Sequence, residues 1–159
     1  MTNKIGMDDY NFQEVEYKLV NAKLNLINEL FTFNEKDIGI EYLKKINCFL
    51  FSDIYLDNDI GFRELSVSEM ETINDCLKNI VETCILNQNN IEKILRYFEK
   101  IWKYQPFITG NTRTLIAFLK ILKNAFYLDI NVDVNKNIIS SSKMFDIDNY
   151  ITKNEKKYK

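Results

Sequence analysis

Residues 91–124, IEKILRYFEKIWKYQPFITGNTRTLIAFLKILKN, decide the fold that we predict for this chain. Apolar residues recur at helical spacing up to Trp102, and Pro106 disfavours helical geometry in the residue before it, Gln105. After the loop a second helix begins near Thr112. It is apolar on nearly every side, which is typical of a buried helix. The stretch therefore predicts a helix–loop–helix motif at the centre of an all-α domain.

Three further helices are predicted upstream, because apolar residues recur at helical spacing in segments 12–30, 42–50 and 70–85. The first stripe consists of Phe12, Val15, Leu19, Ala22, Leu26 and Leu30. Ser66 or Ser68 is suited to cap the third helix, and Asn34 is a candidate N-cap in the preceding loop. Residues 129–137 favour a short extended piece, and 144–151 a last short helix. We expect one domain over 1–159, with a core from about 3 to 150 and a charged tail at 151–159.

The composition excludes several classes of function. The 159 residues contain no histidine, which rules out an imidazole base, a histidine-bound metal and any Ser-His or Cys-His pair. The net charge is −2 without a basic face, so we expect no nucleic-acid partner. Three cysteines without a C-x-x-C pair, no signal peptide and no long apolar span predict a cytoplasmic protein without a membrane partner. Cys76 and Cys84 have the spacing of small core residues.

The loop at 105–111 has the features of an anion site. The first amide N–H groups of the helix that begins near Thr112 have no intrahelical partner, and the helix dipole favours a negative charge there. Gly110 permits an unusual backbone conformation, Asn111 can cap the helix, and Arg113 offers a planar fork to phosphate oxygens. A bland alternative is a helix–loop–helix corner in which Gly110 makes the turn and Asn111 the cap. On spacing alone, the corner is the favoured interpretation.

Two blocks of sequence resemble the Fic (Fido) family. Residues 105–114, QPFITGNTRT, resemble its motif H-P-F-x-[D/E]-G-N-[G/T]-R-T, and residues 43–55, LKKINCFLFSDIY, resemble its upstream pattern L-x-x-I-H-x-x-L-F-x-D-I-Y. The resemblance covers roughly residues 3–150 and is specific in these two blocks. It implies the all-α Fic fold, a helical bundle around a central helix–loop–helix motif. It also implies an activity, the transfer of AMP from ATP to a protein hydroxyl.

Carried onto this chain, the resemblance implies a nucleotide or phosphate site that includes the following residues: Phe107, Thr109, Gly110, Asn111, Thr112 and Arg113. The glycine and asparagine of the motif shape an anion hole, and its arginine binds phosphate oxygens. ATP or another nucleotide is the implied ligand. The implied partners are proteins: a target, a Fic homologue or a regulator, with self-association as a further expectation.

Three departures from the family pattern change the expected chemistry. Gln105 stands where the family has its catalytic base, and an amide does not take a proton near neutral pH. Thr109 replaces the acidic residue that holds Mg²⁺, so the resemblance does not favour a bound metal here. The segment after Arg63 is too short for the family's β-hairpin flap, which is expected to be shortened or absent. In the upstream block, Asn47 replaces a histidine.

Three hypotheses follow from this pattern. The leading one is a pseudoenzyme that retains nucleotide or phosphate binding and acts through protein interaction. The second is an active nucleotidyl- or phosphotransferase with an altered mechanism, in which Asp53, Asp57 or Asp59 takes the metal. The third is a purely structural loop that binds nothing.

Overall fold

The computed structural model describes residues 3–4, 9–34, 36 and 38–130. These residues form five α-helices: α1 (Asp9–Leu30), α2 (Ile40–Phe51), α3 (Val67–Leu86), α4 (Ile91–Tyr104) and α5 (Asn111–Phe126). A short 3₁₀ helix, Asp57–Asp59, lies between α2 and α3. Within the described ranges, extended pairing is limited to two isolated antiparallel bridges, so the all-α prediction is confirmed.

Helix α5 is the centre of the bundle and packs against all four other helices. Its sequence explains this position, because apolar residues cover nearly its whole circumference: Leu115, Ile116, Ala117, Phe118, Leu119, Ile121 and Leu122 are all buried. The ring of Phe118 lies 5.4 Å from that of Phe98 in α4 and 6.0 Å from that of Tyr42 in α2. Burying one such side chain contributes about 1.5–3 kcal/mol.

Polar side chains begin three of the helices. Ser66 and Glu69 form a reciprocal capping box at the start of α3, as the Ser-x-x-Glu spacing allows. Asn90 Oδ1 accepts a hydrogen bond from Lys93 N at the start of α4. At α2 the N-cap is Gly39, and Asn74 of α3 supplies the acceptor for Ile40 N at 2.9 Å. Asn34 is therefore not the N-cap of α2; its Oδ1 accepts a hydrogen bond from Lys36 N, two residues further along the loop.

Most of the apolar stripe that predicts α1 lies outside the face that packs, with the exception of Phe12, whose ring lies 5.6 Å from that of Tyr55. The residues of α1 that are fully buried are Val20, Leu24 and Ile27, which the prediction did not single out. Leu19, Leu26 and Leu30 of the predicted stripe remain 43%, 44% and 59% exposed. Both faces are apolar enough to predict a helix, and only the packing against α2 and α5 decides which one is covered.

Several other expectations can be compared with the described residues. Cys76 and Cys84 are buried, as predicted, and burial raises the pKa of the Cys84 thiol to about 12. Phe98 is fully buried. Across the described helices, none is long and apolar enough to cross a membrane. The predicted helix at 144–151, most of the extended piece at 129–137 and the charged tail lie outside the described residues.

Candidate functional site

The C-terminal end of α4 is closed by Gln105 and Arg63. Gln105 ends the helix in a left-handed conformation, with φ at 46°, and its Nε2 donates to Trp102 O at 2.8 Å. Arg63 donates from Nε to Gln105 O at 2.9 Å and from Nη2 to Tyr104 O at 2.8 Å. A guanidinium at this position satisfies carbonyl groups that the helix leaves unpaired. The same guanidinium binds Glu69 and holds the pKa of that carboxyl below its usual value.

The first half of the loop is fixed by an isolated antiparallel β-bridge between Phe62 and Phe107. Arg63 N donates to Pro106 O at 2.9 Å, and Ile108 N donates to Gly61 O at 3.0 Å. The rings of Phe62 and Phe107 stack with centroids 4.8 Å apart. The segment after Arg63 then runs directly into α3 at Val67, and no hairpin lies between them. Phe107 is buried in this arrangement, and its side chain serves packing.

Asn111 closes the loop on itself and does not cap α5. Its Oδ1 accepts from Phe107 N at 2.8 Å, and its Nδ2 donates to Phe107 O at 3.0 Å and to Gln105 Oε1 at 3.2 Å. The expected capping role is wrong because Asn111 is the first residue of the helix, and the N-cap is Gly110. Asn111 thus fixes the loop geometry by satisfying both backbone groups of Phe107.

Gly110 is required for two independent reasons. Its φ of 78° lies in the left-handed region, where a residue with a Cβ is strained. In addition, a Cβ at this position would lie 2.1 Å from a ring atom of Phe51. The glycine therefore lets the loop backbone rest directly on the aromatic ring of α2.

Asn47 joins the loop to the rest of the domain, and no residue-based argument predicted this role. It is fully buried in α2. Its Nδ2 donates to Thr109 O at 2.8 Å and to Thr114 Oγ1 at 3.0 Å, while its Oδ1 accepts from Gly61 N at 2.8 Å. One amide thereby links α2, the Gly61 turn, the loop and α5. The available signal was a single polar residue among the apolar positions Leu43, Ile46 and Leu50.

The start of α5 differs from the starts of α2, α3 and α4. Gly110, like Gly39 at the start of α2, has no side chain that could accept a hydrogen bond; among the described residues, however, no other side chain takes this role at α5, as Asn74 does at α2. The amide groups of the first turn, at Asn111, Thr112 and Arg113, are those that a helix leaves without an intrahelical acceptor. Thr112 Oγ1 accepts a hydrogen bond from Trp102 Nε1 of α4 at 2.9 Å.

Arg113 points towards α1 and is held there. Its guanidinium forms an ion pair with Glu16, and each side chain is only 12% exposed. The guanidinium carbon lies 4.8 Å from the ring centroid of Phe51, a favourable cation–π distance. The Tyr55 hydroxyl donates to the second oxygen of Glu16, and burial followed by the Glu16 charge raises the pKa of Tyr55. Sequence reasoning identified Arg113 but missed Glu16, which is 97 residues away.

The structure thus brings Gln105, Phe107, Gly110 and Asn111 into one hydrogen-bonded corner, with Thr109 attached through its carbonyl. Two of the three carboxylates considered as metal ligands, Asp53 and Asp57, are paired with lysines outside the corner. Asp53 pairs with Lys23 at 2.8 Å, which lowers the pKa of that carboxyl, and Asp57 is almost fully exposed. In the described part of the chain, no group of three or more Cys, Asp or Glu residues could hold a metal ion.

The arrangement can offer backbone amides and one guanidinium to an anion. Comparisons with protein-family models, with curated proteins and with solved structures find no match for this chain.

Proposed function

We propose that this chain is a degenerate Fic-fold protein that binds the phosphate groups of a nucleotide at the start of α5, transfers no group efficiently, and acts through a protein partner. ATP or another nucleotide is the ligand that the resemblance implies. Catalysis would require a proton acceptor and a carboxylate for Mg²⁺, and the positions that supply them in the family hold Gln105 and Thr109. Binding requires neither group.

The contact between the two Fic-like blocks supports the fold assignment. Asn47 belongs to the block at 43–55, and Thr109 and Thr114 belong to the block at 105–114. The buried amide of Asn47 bonds to both threonines, across separations of 62 and 67 residues. Two blocks that were matched independently in sequence therefore form one hydrogen-bonded unit, as expected if they build one site.

The observation that carries the binding proposal is the uncapped first turn of α5. Helices α2, α3 and α4 each receive a side-chain acceptor at their start, whereas α5 begins at a glycine with none. The amide groups of the first turn and the positive end of the dipole favour a phosphate oxygen at this point. Arg113 lies in the same turn. Once its guanidinium is released from Glu16, it supplies a positive charge to the bound phosphate.

The loss of transfer follows from the contacts of Gln105. Its amide donates to Trp102 O and accepts from Asn111, so the side chain acts as a structural link in the corner. The loss of a general base lowers a rate by a factor on the order of 10²–10⁴. The direct passage from Arg63 into α3 also removes the extended segment on which the family pairs with its targets.

Titration calorimetry with ATP, ADP and GTP, each with and without Mg²⁺, tests the binding. We expect a dissociation constant on the order of 10–500 μM for the preferred nucleotide, little changed by Mg²⁺, which corresponds to roughly 5–7 kcal/mol. Arg113→Gln should weaken it at least tenfold, whereas Lys78→Gln, which removes an exposed charge on α3, should not. The double variant Glu16→Gln/Arg113→Gln keeps the two buried partners neutral and controls for unfolding. No binding at millimolar nucleotide would overturn the proposal.

A labelling assay tests the absence of transfer. Incubation of the protein with labelled ATP and cell lysate should leave all proteins unlabelled. The double substitution Gln105→His/Thr109→Glu restores the base and the acidic residue of the motif, and a gain of labelling would show that the pocket is otherwise competent. Strong labelling by the unmodified protein, abolished by Arg113→Gln, would contradict the pseudoenzyme and favour the altered transferase.

A further inference from the structure

Helix α1 carries two apolar faces, and the described part of the bundle covers one of them. Val20, Leu24 and Ile27 are fully buried, whereas Leu19, Leu26 and Leu30 are 43%, 44% and 59% exposed. A single exposed leucine is normal on a protein surface. Three that share one face of one helix form a continuous apolar patch, and such patches mark interaction sites.

The exposed face has the spacing of a helix–helix seam. We call it the outer stripe, and it consists of Val15, Leu19, Ala22, Leu26 and Leu30, at intervals of four, three, four and four residues. Such spacing places all five side chains on one side of a helix and matches the groove of another helix. The half-buried Val15 and the exposed Ala22 complete the stripe between the leucines.

The outer stripe is symmetric about its own centre. The midpoint between residues 22 and 23 is equally distant from Leu19 and Leu26, and equally distant from Val15 and Leu30. Suppose that two copies of the helix lie antiparallel, related by a two-fold axis at this midpoint. Leu19 of one copy then faces Leu26 of the other, and Val15 of one copy faces Leu30 of the other. The small side chain of Ala22 near the axis allows the backbones to approach closely.

The charges along one edge of the stripe match the same geometry. Lys18 and Glu29 are exposed and lie on the same side of α1, eleven residues or about three turns apart. Lys18 Nζ lies 3.4 Å from Glu14 Oε1 within the chain, but these side chains stay 72% and 70% exposed, so the ammonium group remains accessible to a second copy. In an antiparallel pair, the same edge of both helices lies on the same side of the interface. Lys18 of one protomer therefore lies beside Glu29 of its partner, and the symmetry produces this contact twice. On the opposite edge, Lys23 and Glu16 are already paired within the chain, with Asp53 and Arg113.

From this self-complementarity we infer that the outer stripe of α1 is a dimer interface, occupied by α1 of a second copy of this chain in antiparallel orientation. The inference does not depend on nucleotide binding at α5. The stripe comprises only about four turns of one helix, so the interface is at the small end of the range for specific complexes and the dimer is expected to form at micromolar concentration.

Sedimentation velocity on the full chain between about 5 and 200 μM tests the interface. The unmodified protein should pass from monomer to dimer over this range, and Leu26→Glu should raise the dimer dissociation constant at least tenfold. Leu86→Glu is the matched control, because Leu86 is 76% exposed at the end of α3, outside the stripe, and its replacement should leave the constant unchanged. A protein that is monomeric throughout, or a dimer insensitive to Leu26→Glu, would overturn the inference.

Charge reversal and cross-linking test the orientation. Lys18→Glu and Glu29→Lys should each weaken the dimer several-fold, and the double reversal should restore it to within about twofold, since each contact is then re-formed with opposite signs. Ala22→Cys should form a disulfide with its own copy, because the residue lies beside the axis. Leu30→Cys should not, since the two copies of residue 30 lie about 20 Å apart at 1.5 Å per residue. Equal cross-linking of both variants would indicate a parallel pair and contradict the inference.

Discussion

The ion pair between Glu16 and Arg113 makes phosphate binding at α5 depend on α1. Both side chains are 12% exposed, and Arg113 also rests on the ring of Phe51. A phosphate group that approaches Arg113 must compete with the Glu16 carboxylate for the same guanidinium and is repelled by it. We therefore predict that Glu16→Gln, which keeps the shape of the side chain and removes its charge, strengthens nucleotide binding.

The magnitude follows from the burial of the pair. Two unit charges about 4 Å apart attract each other by about 4 kcal/mol at an effective dielectric constant near 20. The cost of desolvating the two charges offsets part of this attraction. We therefore expect the binding free energy of a phosphate group to become about 1–3 kcal/mol more favourable when the Glu16 carboxylate is replaced by an amide. Since about 1.4 kcal/mol corresponds to a tenfold change, nucleotide affinity should rise roughly 5- to 150-fold. Without ligand, the unpaired Arg113 should lower the free energy of unfolding by about 2–3 kcal/mol.

Calorimetry and thermal unfolding, each with and without ADP, measure both effects on one variant. Glu92→Gln is the matched control, because it makes the same change in an exposed Glu–Arg pair of α4, where the partners are 3.5 Å apart. This control should alter neither affinity nor stability appreciably, since exposed pairs contribute about 0–1 kcal/mol. An unchanged or weaker affinity in Glu16→Gln, in protein that remains folded, would refute the competition between carboxylate and phosphate.

Three further predictions concern the frame around the site. Gly110→Ala should lower the free energy of unfolding, measured by chemical denaturation, by more than about 2 kcal/mol, because it combines a strained φ with a clash. Gly39→Ala is the control: its φ is extended, and the nearest atom lies 3.7 Å from the added Cβ. It should change the free energy of unfolding by less than about 1 kcal/mol. Asn47→Leu should lower the free energy of unfolding by about 3 kcal/mol, since it leaves the buried Gly61 N–H and Thr114 hydroxyl and the half-buried Thr109 carbonyl without their partner. A loss under about 1 kcal/mol would argue against its linking role. The raised pKa of Cys84 keeps its thiol protonated at pH 8, so native protein should react with iodoacetamide at the half-buried Cys48 well before Cys84, and equal rates would contradict the buried placement.

The features that sequence predicted well are those decided within a few residues. The break between α4 and α5 follows from Pro106, and the N-cap of α3 is Ser66, one of the two serines that the sequence offered for this position. The central position of α5 follows from its apolar circumference. In each case the signal and the structure it dictates lie in the same turn or loop.

The features that sequence did not predict depend on long-range packing. Asparagine is a common N-cap residue, which favoured a capping role for Asn111. The loop instead places its side chain against Phe107, where it satisfies two backbone groups. The partners of Asn47 are 14, 62 and 67 residues away, and Glu16 is 97 residues from Arg113. On α1, two apolar faces of similar strength compete, and only the assembled bundle decides which one is buried.

The most direct test of the binding site follows individual amide groups. In ¹⁵N-labelled protein titrated with ADP, we predict that the largest shifts of the amide N–H signals occur at Gly110, Asn111, Thr112 and Arg113, with a smaller response at Glu16 as Arg113 changes partner. Titration with inorganic phosphate should perturb the same amides more weakly. An absence of shifts at these residues at millimolar ADP, or shifts concentrated elsewhere on the surface, would contradict a phosphate site at the start of α5.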